Sequence, residues 1–462
     1  MEEGYETFSK YGQSFLVPDI SLSPHIVIPQ EQCRWLLSLP TSIVSHRIPV
    51  SERNALEQLF PSIPSSGFRL FKQVIRRMVT PDVSRRQRDM FTLMQQTVDS
   101  VVGCDYSWRQ VRLSDVVEEV VHTTALSMLL GSKLGHDNGF GIALKRFSIS
   151  FGVAAVVIGL TPGPLKQIVA WPARTIVDFF RRRAYNYLTP LIHERFKVEE
   201  RRRGDPDLDS RGPQDFITSV IRAILDDEKG TMEHFREIET LFTIIIMTLV
   251  TTTSLTLTNT LLDLLSSDPS LEYYQALRKE ADSAFTSLDW SNVASPPKLD
   301  CIDSAIRESL RLHPTHTRGL FRTVVAEEGL TLPDKHHIPQ GCMMSIPVYW
   351  IHRDERFYKD PNTYIPFRFL LTDASDQRKP RGLVDTSDTF LSFSHGVYSC
   401  DGRFFAAQLM KMFLAYITMH YDVKPLDTRP PNVLLSDFCI PPRSVKLWIR
   451  RRNPETDLHL RP

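Results

Sequence analysis

The chain has 462 residues, 42% of them hydrophobic, and its 55 Lys and Arg against 54 Asp and Glu leave a net charge of +1. A chain of this length can bury a large core, and near neutrality argues against a nucleic-acid partner. Six cysteines, at positions 33, 104, 301, 342, 400 and 439, form neither a metal-type spacing nor a compact disulfide framework, which indicates a reducing compartment. No shift in composition divides the chain, so we expect one domain over residues 1–462.

The N-terminal part begins without a membrane signal and then becomes helical. Residues 1–10 are polar and charged, with neither a signal peptide nor a membrane span. Residues 14–17 and 25–28 predict a pair of strands, and residues 31–38 predict a short helix. From residue 67 to about residue 265, helical periodicity dominates.

Two basic runs, residues 181–183 and 201–203, interrupt this helical region. The simplest interpretation is that they form solvated helix faces. The sharper alternative is a local basic patch that docks an acidic redox partner.

Two stretches without charge are long enough to attract a membrane interpretation. Residues 147–165 are broken by Pro162-Gly-Pro164 before they could span, which leaves either a hydrophobic elbow on a membrane surface or a buried hairpin. Residues 242–262 contain eight threonines. Their position ahead of the next helix favours a long central helix.

After this helix the chain changes character. Residues 321–325 and 343–348 predict short strands, an irregular segment follows, residues 402–420 predict the last helix, and residues 444–448 predict a closing strand. The predicted fold class is mainly α with a minor β region.

An acid and a base lie at i and i+3 on a helix in Ala305-Ile-Arg-Glu308-Ser-Leu-Arg311-Leu-His-Pro314. Read alone, Glu308 and Arg311 form a surface ion pair of about 0.5 kcal/mol or less. A second base, Arg368, follows in Tyr364-Ile-Pro-Phe-Arg-Phe369 and can join them.

One cysteine has the setting that a metal thiolate requires. The segment Phe393-Ser-His-Gly396-Val-Tyr-Ser-Cys400-Asp-Gly402 precedes an apolar helix. Gly396 permits a tight turn against a flat ligand, and Gly402 permits equally close approach of the helix. At a helix N-terminus, free N–H groups favour the thiolate form of Cys400. The alternative is a buried structural cysteine in an ordinary loop.

These segments, in this order, resemble the cytochrome P450 family. The cysteine loop resembles its heme-binding loop, and Glu308, Arg311 and Arg368 match a buried structural triad that holds the irregular segment on the helix. The resemblance implies a P450 fold with a long central helix over heme b, and Cys400 as the axial thiolate, with Phe393, Gly396 and Gly402 in the binding loop.

The central helix keeps only half of the family's oxygen-activation pattern. Residues Thr248–Thr253 align with Ala-Gly-x-(Asp/Glu)-Thr-Thr, so Thr252 takes the place of the proton-relaying alcohol. Thr251 replaces the acid, and Leu249 replaces a small residue that leaves room for dioxygen. Hydroxyl groups within a helix can bond the carbonyl at i−4. For Thr253 and Thr256 a role in the core is the preferred interpretation.

The heme carboxylates also have an altered partner. Tyr398 stands where the family usually has Arg or His, and a neutral hydroxyl stabilises a propionate less than a cation does. Arg322 matches a position that contacts propionate in many members, and Arg76 is a further candidate. Asp401 adds a negative charge beside the thiolate.

The resemblance implies a monooxygenase that inserts one oxygen atom from O2 into a C–H bond of a small lipophilic substrate. It is most similar to fungal secondary-metabolism members that act on terpenoid, meroterpenoid or indole-derived intermediates. Because the chain has no flavin- or nicotinamide-binding segment, electrons come from an NADPH-cytochrome P450 reductase. The expected location is the endoplasmic reticulum surface, by resemblance, or the cytoplasm, since residues 1–10 carry no anchor; peripheral membrane contact is left open.

Two alternatives belong to other functional classes. The first is a heme-thiolate protein that binds small molecules but has lost efficient oxygen activation, because Leu249 and Thr251 depart from the pattern. The second is a heme-free interaction protein, which a heme spectrum would exclude.

Overall fold

The computed structural model describes residues 1–18, 25–61, 86–204, 216–226, 235–286, 297–370 and 382–453. Arg76 and the start of the predicted helical region from residue 67 lie outside these ranges. The helices are α1 Glu2–Thr7, α2 Cys33–Ser38, α3 Arg47–Arg53, α4 Leu56–Leu59, α5 Gln87–Val102, α6 Leu113–Leu130, α7 Ser132–Gly135, α8 Asn138–Gly159, α9 Lys166–Gly204, α10 Phe216–Asp226, α11 Phe235–Leu265, α12 Tyr273–Thr286, α13 Asp300–Leu312, α14 Val348–Ile351 and α15 Arg403–His420.

The strands are β1 Phe15–Val17, β2 His25–Val27, β3 Val44–Ser45, β4 Arg109–Arg112, β5 Gly319–Val324, β6 Leu330–Thr331, β7 His337–Ile338, β8 Met343–Ile346, β9 Tyr421–Val423, β10 Val433–Leu435, β11 Phe438–Ile440 and β12 Lys446–Arg451. The largest sheet has the order β1-β2-β8-β5-β3, and a second sheet has the order β4-β12-β9. The fold is mainly α with a minor β region, as predicted.

The β region follows the sequence closely, with corrections at strand ends. The strand predicted over residues 321–325 is β5 Gly319–Val324, and the closing strand predicted over residues 444–448 is β12 Lys446–Arg451. Strands β1 and β2 pair antiparallel, with Phe15 opposite Val27, which confirms the predicted pair. The strand predicted over residues 343–348 ends at Ile346 instead. Pro347 has no N–H to continue the sheet ladder, and α14 begins directly after it.

The core is divided between the helices and the main sheet. The larger hydrophobic cluster joins the helices from α5 to α15, and the smaller one lies between the main sheet, α2 and α14. The central helix α11 is longer than predicted and contacts α6, α13 and α15. Helix α13 carries Glu308 and Arg311, and α15 begins directly after the cysteine loop. The contacts of α11 with both helices place it beside that loop.

Helices α8 and α9 form a hairpin whose two faces differ. The break predicted at residues 162–164 is confirmed, since α8 ends at Gly159. Phe147 is 1% exposed, whereas Val153 is 60% exposed and Trp171 is 76% exposed. Among the described helices, α8 is long and apolar enough to cross a membrane, judged by length and composition alone. Core helices of soluble proteins can have the same length and composition.

One arginine of each basic run on α9 forms an ion pair with an acidic residue of the same helix. Arg181 pairs with Asp178 at 2.8 Å, and Arg202 pairs with Glu199 at 3.7 Å. These contacts favour the interpretation of solvated helix faces over a partner-docking patch.

Candidate functional site

Cys400 lies in a tight loop that ends where α15 begins. The loop folds back on itself because the Cys400 amide donates to the Phe393 carbonyl at 2.8 Å. Gly396 has a φ of +71°, in the left-handed region that glycine adopts without strain. Cys400 is exposed, although the protein surrounds its other sides. The loop therefore presents one thiol to an open space.

The electrostatic setting of the Cys400 sulfur differs from the sequence expectation. Burial raises the pKa of the thiol, and it outweighs the N–H groups of Gly402 and Arg403, which hydrogen-bond the sulfur and lower its pKa. The charge of Asp401 also raises this pKa. The amides at the helix start therefore act as predicted, and burial, which the sequence pattern did not include, acts against them.

The second glycine of the loop has no packing reason within the described part of the chain. Gly402 has an ordinary φ of −80°, and a Cβ placed on it would meet no described atom within 4 Å. The neighbouring protein does not require glycine here. The open space beside Gly402 leaves room for the predicted close approach of a flat ligand.

The structure brings Glu308, Arg311 and Arg368 together in a buried network. Arg311 donates to both Glu308 carboxylate oxygens, from Nε at 2.7 Å and from Nη2 at 2.8 Å. Arg368 Nε donates to Oε1 of Glu308 at 2.9 Å. Glu308 and Arg311 are 0% exposed, so the interpretation as a surface ion pair is wrong.

The same network holds the irregular segment that precedes the cysteine loop. Arg311 Nη1 donates to the carbonyls of His352 and Pro361, and Arg368 donates to the carbonyls of Lys359 and Asp360. Arg311 thus links α13 to the segment after α14, and Arg368, which lies in that segment, links it back to Glu308 of α13.

His352 connects this network to the cysteine loop, a role that the sequence analysis missed. Its Nδ1 donates to the Arg311 carbonyl at 3.0 Å, and its Nε2 accepts from the Leu391 amide at 2.9 Å. Burial lowers the pKa of His352 to about 3, so the ring is neutral and can donate and accept at once. No sequence pattern indicated that His352 would contact Leu391, because the fold brings these distant residues together.

Tyr398 lies in a stack of three side chains on the other side of the loop. The ring of His46 lies 3.8 Å from the Tyr398 ring, and the Arg322 guanidinium lies 4.9 Å from it. Arg322 is 5% exposed, and its Nη2 has no hydrogen-bond partner among the described residues. Burial lowers the pKa of Arg322, which marks the cost of keeping this charge inside the protein. The sequence pattern gave no sign of His46.

The two threonines of the predicted relay have different environments on α11. Thr252 is half-buried, and its Oγ1 donates to the Thr248 carbonyl at 2.9 Å. Thr256 and Thr260 repeat this bond one and two turns later, each at 2.9 Å, as predicted for hydroxyl groups within a helix. Thr251 is exposed, whereas Thr253 is 2% exposed and belongs to the core.

These residues fit a flat, anionic cofactor bound through iron. The accessible thiol of Cys400 is a soft metal ligand, and Gly402 leaves open space beside it. Arg322 offers a buried cationic N–H that no described residue satisfies. Buried polar atoms are nearly always paired, so this donor has the character of a group that binds a carboxylate.

Comparison with known proteins agrees with this geometry. The model of the Cytochrome P450 family matches residues 72–449. The cytochrome P450 monooxygenase lnaC of Aspergillus flavus is 34% identical over 97% of this chain and 86% of its own length. The monooxygenases polB of Polytolypa hystricis and nodZ of Hypoxylon pulicicidum are 32% and 31% identical, each over 98% of this chain and over 88% and 87% of their own lengths. The chain therefore belongs to the cytochrome P450 family of heme-thiolate monooxygenases.

Proposed function

We propose that this P450 monooxygenase binds heme b through the Cys400 thiolate and hydroxylates a C–H bond of a small lipophilic substrate. The observation that carries the proposal is the accessible Cys400 sulfur, which receives the Gly402 and Arg403 amides at the start of α15. When bound, the heme supplies the activation of O2 with two electrons, which no amino-acid side chain can provide. The residues of the chain hold the cofactor, position it and move protons.

Holding the cofactor is divided between the two sides of the loop. The amides of Gly402 and Arg403 stabilise negative charge on the Cys400 sulfur. On the other side, Arg322 Nη2 would donate to a heme carboxylate, and Tyr398 would add a neutral hydrogen bond. Arg76, outside the described residues, is a further proposed donor.

Rigidity of the loop is the proposed role of the Glu308, Arg311 and Arg368 network. It fixes backbone before the loop, and His352 passes that restraint to Leu391, two residues ahead of Phe393. A ligand that must hold a metal at a fixed distance needs such support.

Proton movement is assigned to the hydroxyl group of Thr252. Its hydrogen bond to the Thr248 carbonyl would have to open first, after which Oγ1 can accept a proton from water as it releases its own. Thr251 cannot ionise, and water must supply what a carboxylate supplies elsewhere in the family.

Substrate and electron source follow from the family and its relatives. The similar proteins are monooxygenases of fungi. We infer an intermediate of fungal secondary metabolism with a terpenoid, meroterpenoid or indole-derived skeleton, and an NADPH-cytochrome P450 reductase as electron donor. Comparing metabolites of the producing cell with and without the chain would identify the compound that accumulates.

Contact with a membrane surface is the proposed role of the turn between α8 and α9. Its apolar side chains are unusually exposed, with Trp171 at 76% and Ile168 at 70%. Lys166 lies between them and the end of α8, so a cation accompanies the apolar face as lipid surfaces require. This arrangement supports a location at the endoplasmic reticulum surface.

The test of the proposed function is the carbon monoxide spectrum. Reduced protein with carbon monoxide should show the red-shifted Soret band of thiolate ligation, and Cys400→Ser should lose it completely. Cys104→Ser is the matched control, because Cys104 is also exposed but lies outside the loop. Retention of the band in Cys400→Ser would disprove the ligand assignment.

A further inference from the structure

A cleft lies on the side of α11 that faces α6 and α8. It has a volume of about 800 Å³ and is lined by α5, α6, α8, α11 and the segment after β11. The central helix contributes Thr251, Ser254 and Thr258, and α6 contributes Glu118 and His122. The cysteine loop contributes nothing to the described lining of the cleft. This space is therefore separate from the cofactor cradle, which comprises Cys400, Tyr398 and Arg322.

Two polar atoms in the lining of this cleft are buried without a partner. Ser254 is 4% exposed, and its Oγ makes no hydrogen bond to any described residue. The same holds for Nε2 of His122 within the described part of the chain. Buried polar atoms at a roomy polar cavity are typically satisfied by ordered water. The rest of the lining is mostly apolar, so water that enters the cleft is expected at these two polar atoms.

The rim of the cleft is charged and the interior is neutral. Glu118 pairs with Lys145 of α8 at 3.1 Å and also accepts from Arg443. Glu119, exposed on α6, and Asp137, which caps α8, complete the charged groups around it. Burial lowers the pKa of His122 to about 4, with the charge of Lys145 adding to this effect, so its ring is neutral at physiological pH. A neutral imidazole accepts a proton at one nitrogen as it releases one at the other.

Thr251 lines this cleft, while Thr252 is not among its described lining residues. Successive residues of an α-helix are rotated by about 100° from each other, so the two side chains leave the helix in different directions. Thr251 therefore faces the cleft and adjoins the residue assigned to the relay. The helix itself is the wall between the cleft and the cofactor side.

We propose that the cleft is a water-filled inlet that carries protons to Thr251 and on to Thr252, with His122 in place of the carboxylate that position 251 lacks. This proposal rests on the proposed function. The overall oxidation converts RH, O2, two electrons and two protons into ROH and water. Both protons enter from bulk water, and each water, hydroxyl and imidazole on the path accepts one proton for each that it releases, so the path is unchanged after turnover.

Access is tested first, with a readout that does not depend on activity. In heme-loaded protein, Thr251→Cys should react with a small charged methanethiosulfonate reagent, as measured by peptide mass spectrometry. Thr253→Cys is the matched control and should stay unlabelled, because Thr253 is 2% exposed. Labelling of Thr251→Cys only after heme removal would place Thr251 on the cofactor side and overturn the inlet.

Proton supply is tested by removing the imidazole. His122→Phe should keep the carbon monoxide band and substrate binding, while the ratio of product to NADPH consumed falls by about tenfold and hydrogen peroxide rises, as expected for loss of a proton-transfer group. His122→Gln should recover part of that ratio because it restores hydrogen bonding. His136→Phe, at the same cleft but with its Nδ1 bonded to the Ser132 carbonyl, should leave the ratio unchanged.

The outcomes separate the two proposals. An unchanged ratio in His122→Phe would overturn the role of His122 and leave the heme-thiolate assignment standing. Absence of the carbon monoxide band in the unaltered protein would instead overturn the proposed function. Equal losses in His122→Phe and His122→Gln would indicate a packing defect and overturn the proton path.

Discussion

The Glu308 network and the cofactor cradle both bury charged and polar groups, but they differ in how many of those groups have hydrogen-bond partners within the protein. In the network, both oxygens of Glu308 and all three side-chain nitrogens of Arg311 are hydrogen-bonded. In the cradle, Arg322 Nη2 has no partner among the described residues, and Cys400 has a raised pKa. The network is complete within the protein, and the cradle is complete only with a ligand.

This difference separates structural from binding residues by a physical criterion. A buried charge without a partner costs free energy, so a protein keeps one only where something else supplies the partner. By this criterion Arg311 supports the fold, whereas Arg322 has the character of the cofactor-binding residue that we propose. Both are buried arginines in one region of the chain, and exposure alone would not distinguish them.

The largest expected effect comes from breaking the network. Arg311→Ala leaves Glu308 buried without its main partner and should lower the free energy of unfolding by about 3–5 kcal/mol. Arg34→Ala is the control, because Arg34 pairs with Asp388 at 2.9 Å but is 84% exposed, and it should cost about 1 kcal/mol or less. Chemical denaturation of both variants measures the contrast, and equal losses would remove it.

The next effect concerns the cradle and should appear as cofactor release, with little change in folding. Arg322→Ala should speed heme transfer to apomyoglobin by roughly 10- to 100-fold, since a hydrogen bond to a charged group contributes about 1.5–3 kcal/mol. Arg322→Lys should retain more heme, and Tyr398→His should hold heme at least as tightly as the unaltered protein. Equal release rates in all four proteins would mean that the carboxylates are held elsewhere.

A smaller effect, on product formation, is expected from α11, where the Thr252 hydroxyl group is hydrogen-bonded to the backbone. Thr252→Ala should keep the carbon monoxide band and substrate binding but divert NADPH to hydrogen peroxide, with product formation down by about tenfold. Thr260→Ala removes an equivalent bond, also 2.9 Å long, to the carbonyl four residues before it. A similar diversion in both variants would show a helix defect and not a relay.

The departures from the family pattern at Thr251 and Leu249 allow the opposite test, in which product formation should increase. Thr251→Asp combined with Leu249→Ala should raise the ratio of product to NADPH consumed toward that of family members with the full pattern. If the unaltered protein forms no product from any candidate substrate while this double variant does, the alternative of a binding protein with lost oxygen activation gains support.

The smallest effect extends the comparison to apolar groups without a protein partner. Trp171→Glu should weaken binding to phospholipid vesicles by about tenfold, which corresponds to the burial of one large side chain. Trp448→Glu serves as control, because Trp448 is 45% exposed on β12, away from the α8–α9 turn. Sedimentation with vesicles measures both, and an unchanged Trp171→Glu variant would refute membrane contact at the turn.

Sequence patterns predicted what depends on neighbours along the chain. The helix break at residues 162–164, the pairing of β1 with β2, and the spacing of Glu308 and Arg311 all follow from local geometry. Contacts between distant segments did not follow. His46 reaches Tyr398, and His352 reaches Leu391, only because the fold brings them together. The effect of burial on the pKa of the Cys400 thiol was not part of the prediction, because burial depends on the whole fold.

The repeated side-chain to backbone bonds of Thr252, Thr256 and Thr260 change what kind of surface α11 presents. Each hydroxyl turns its hydrogen toward the helix carbonyl four residues before it, so the γ-methyl group is left to face outward. A run of alcohols then behaves toward its neighbours much as a run of valines would. Thr256 and Thr260 are 5% and 0% exposed, so their methyl groups fill the core, whereas at the half-buried Thr252 a lipophilic molecule would meet a methyl group.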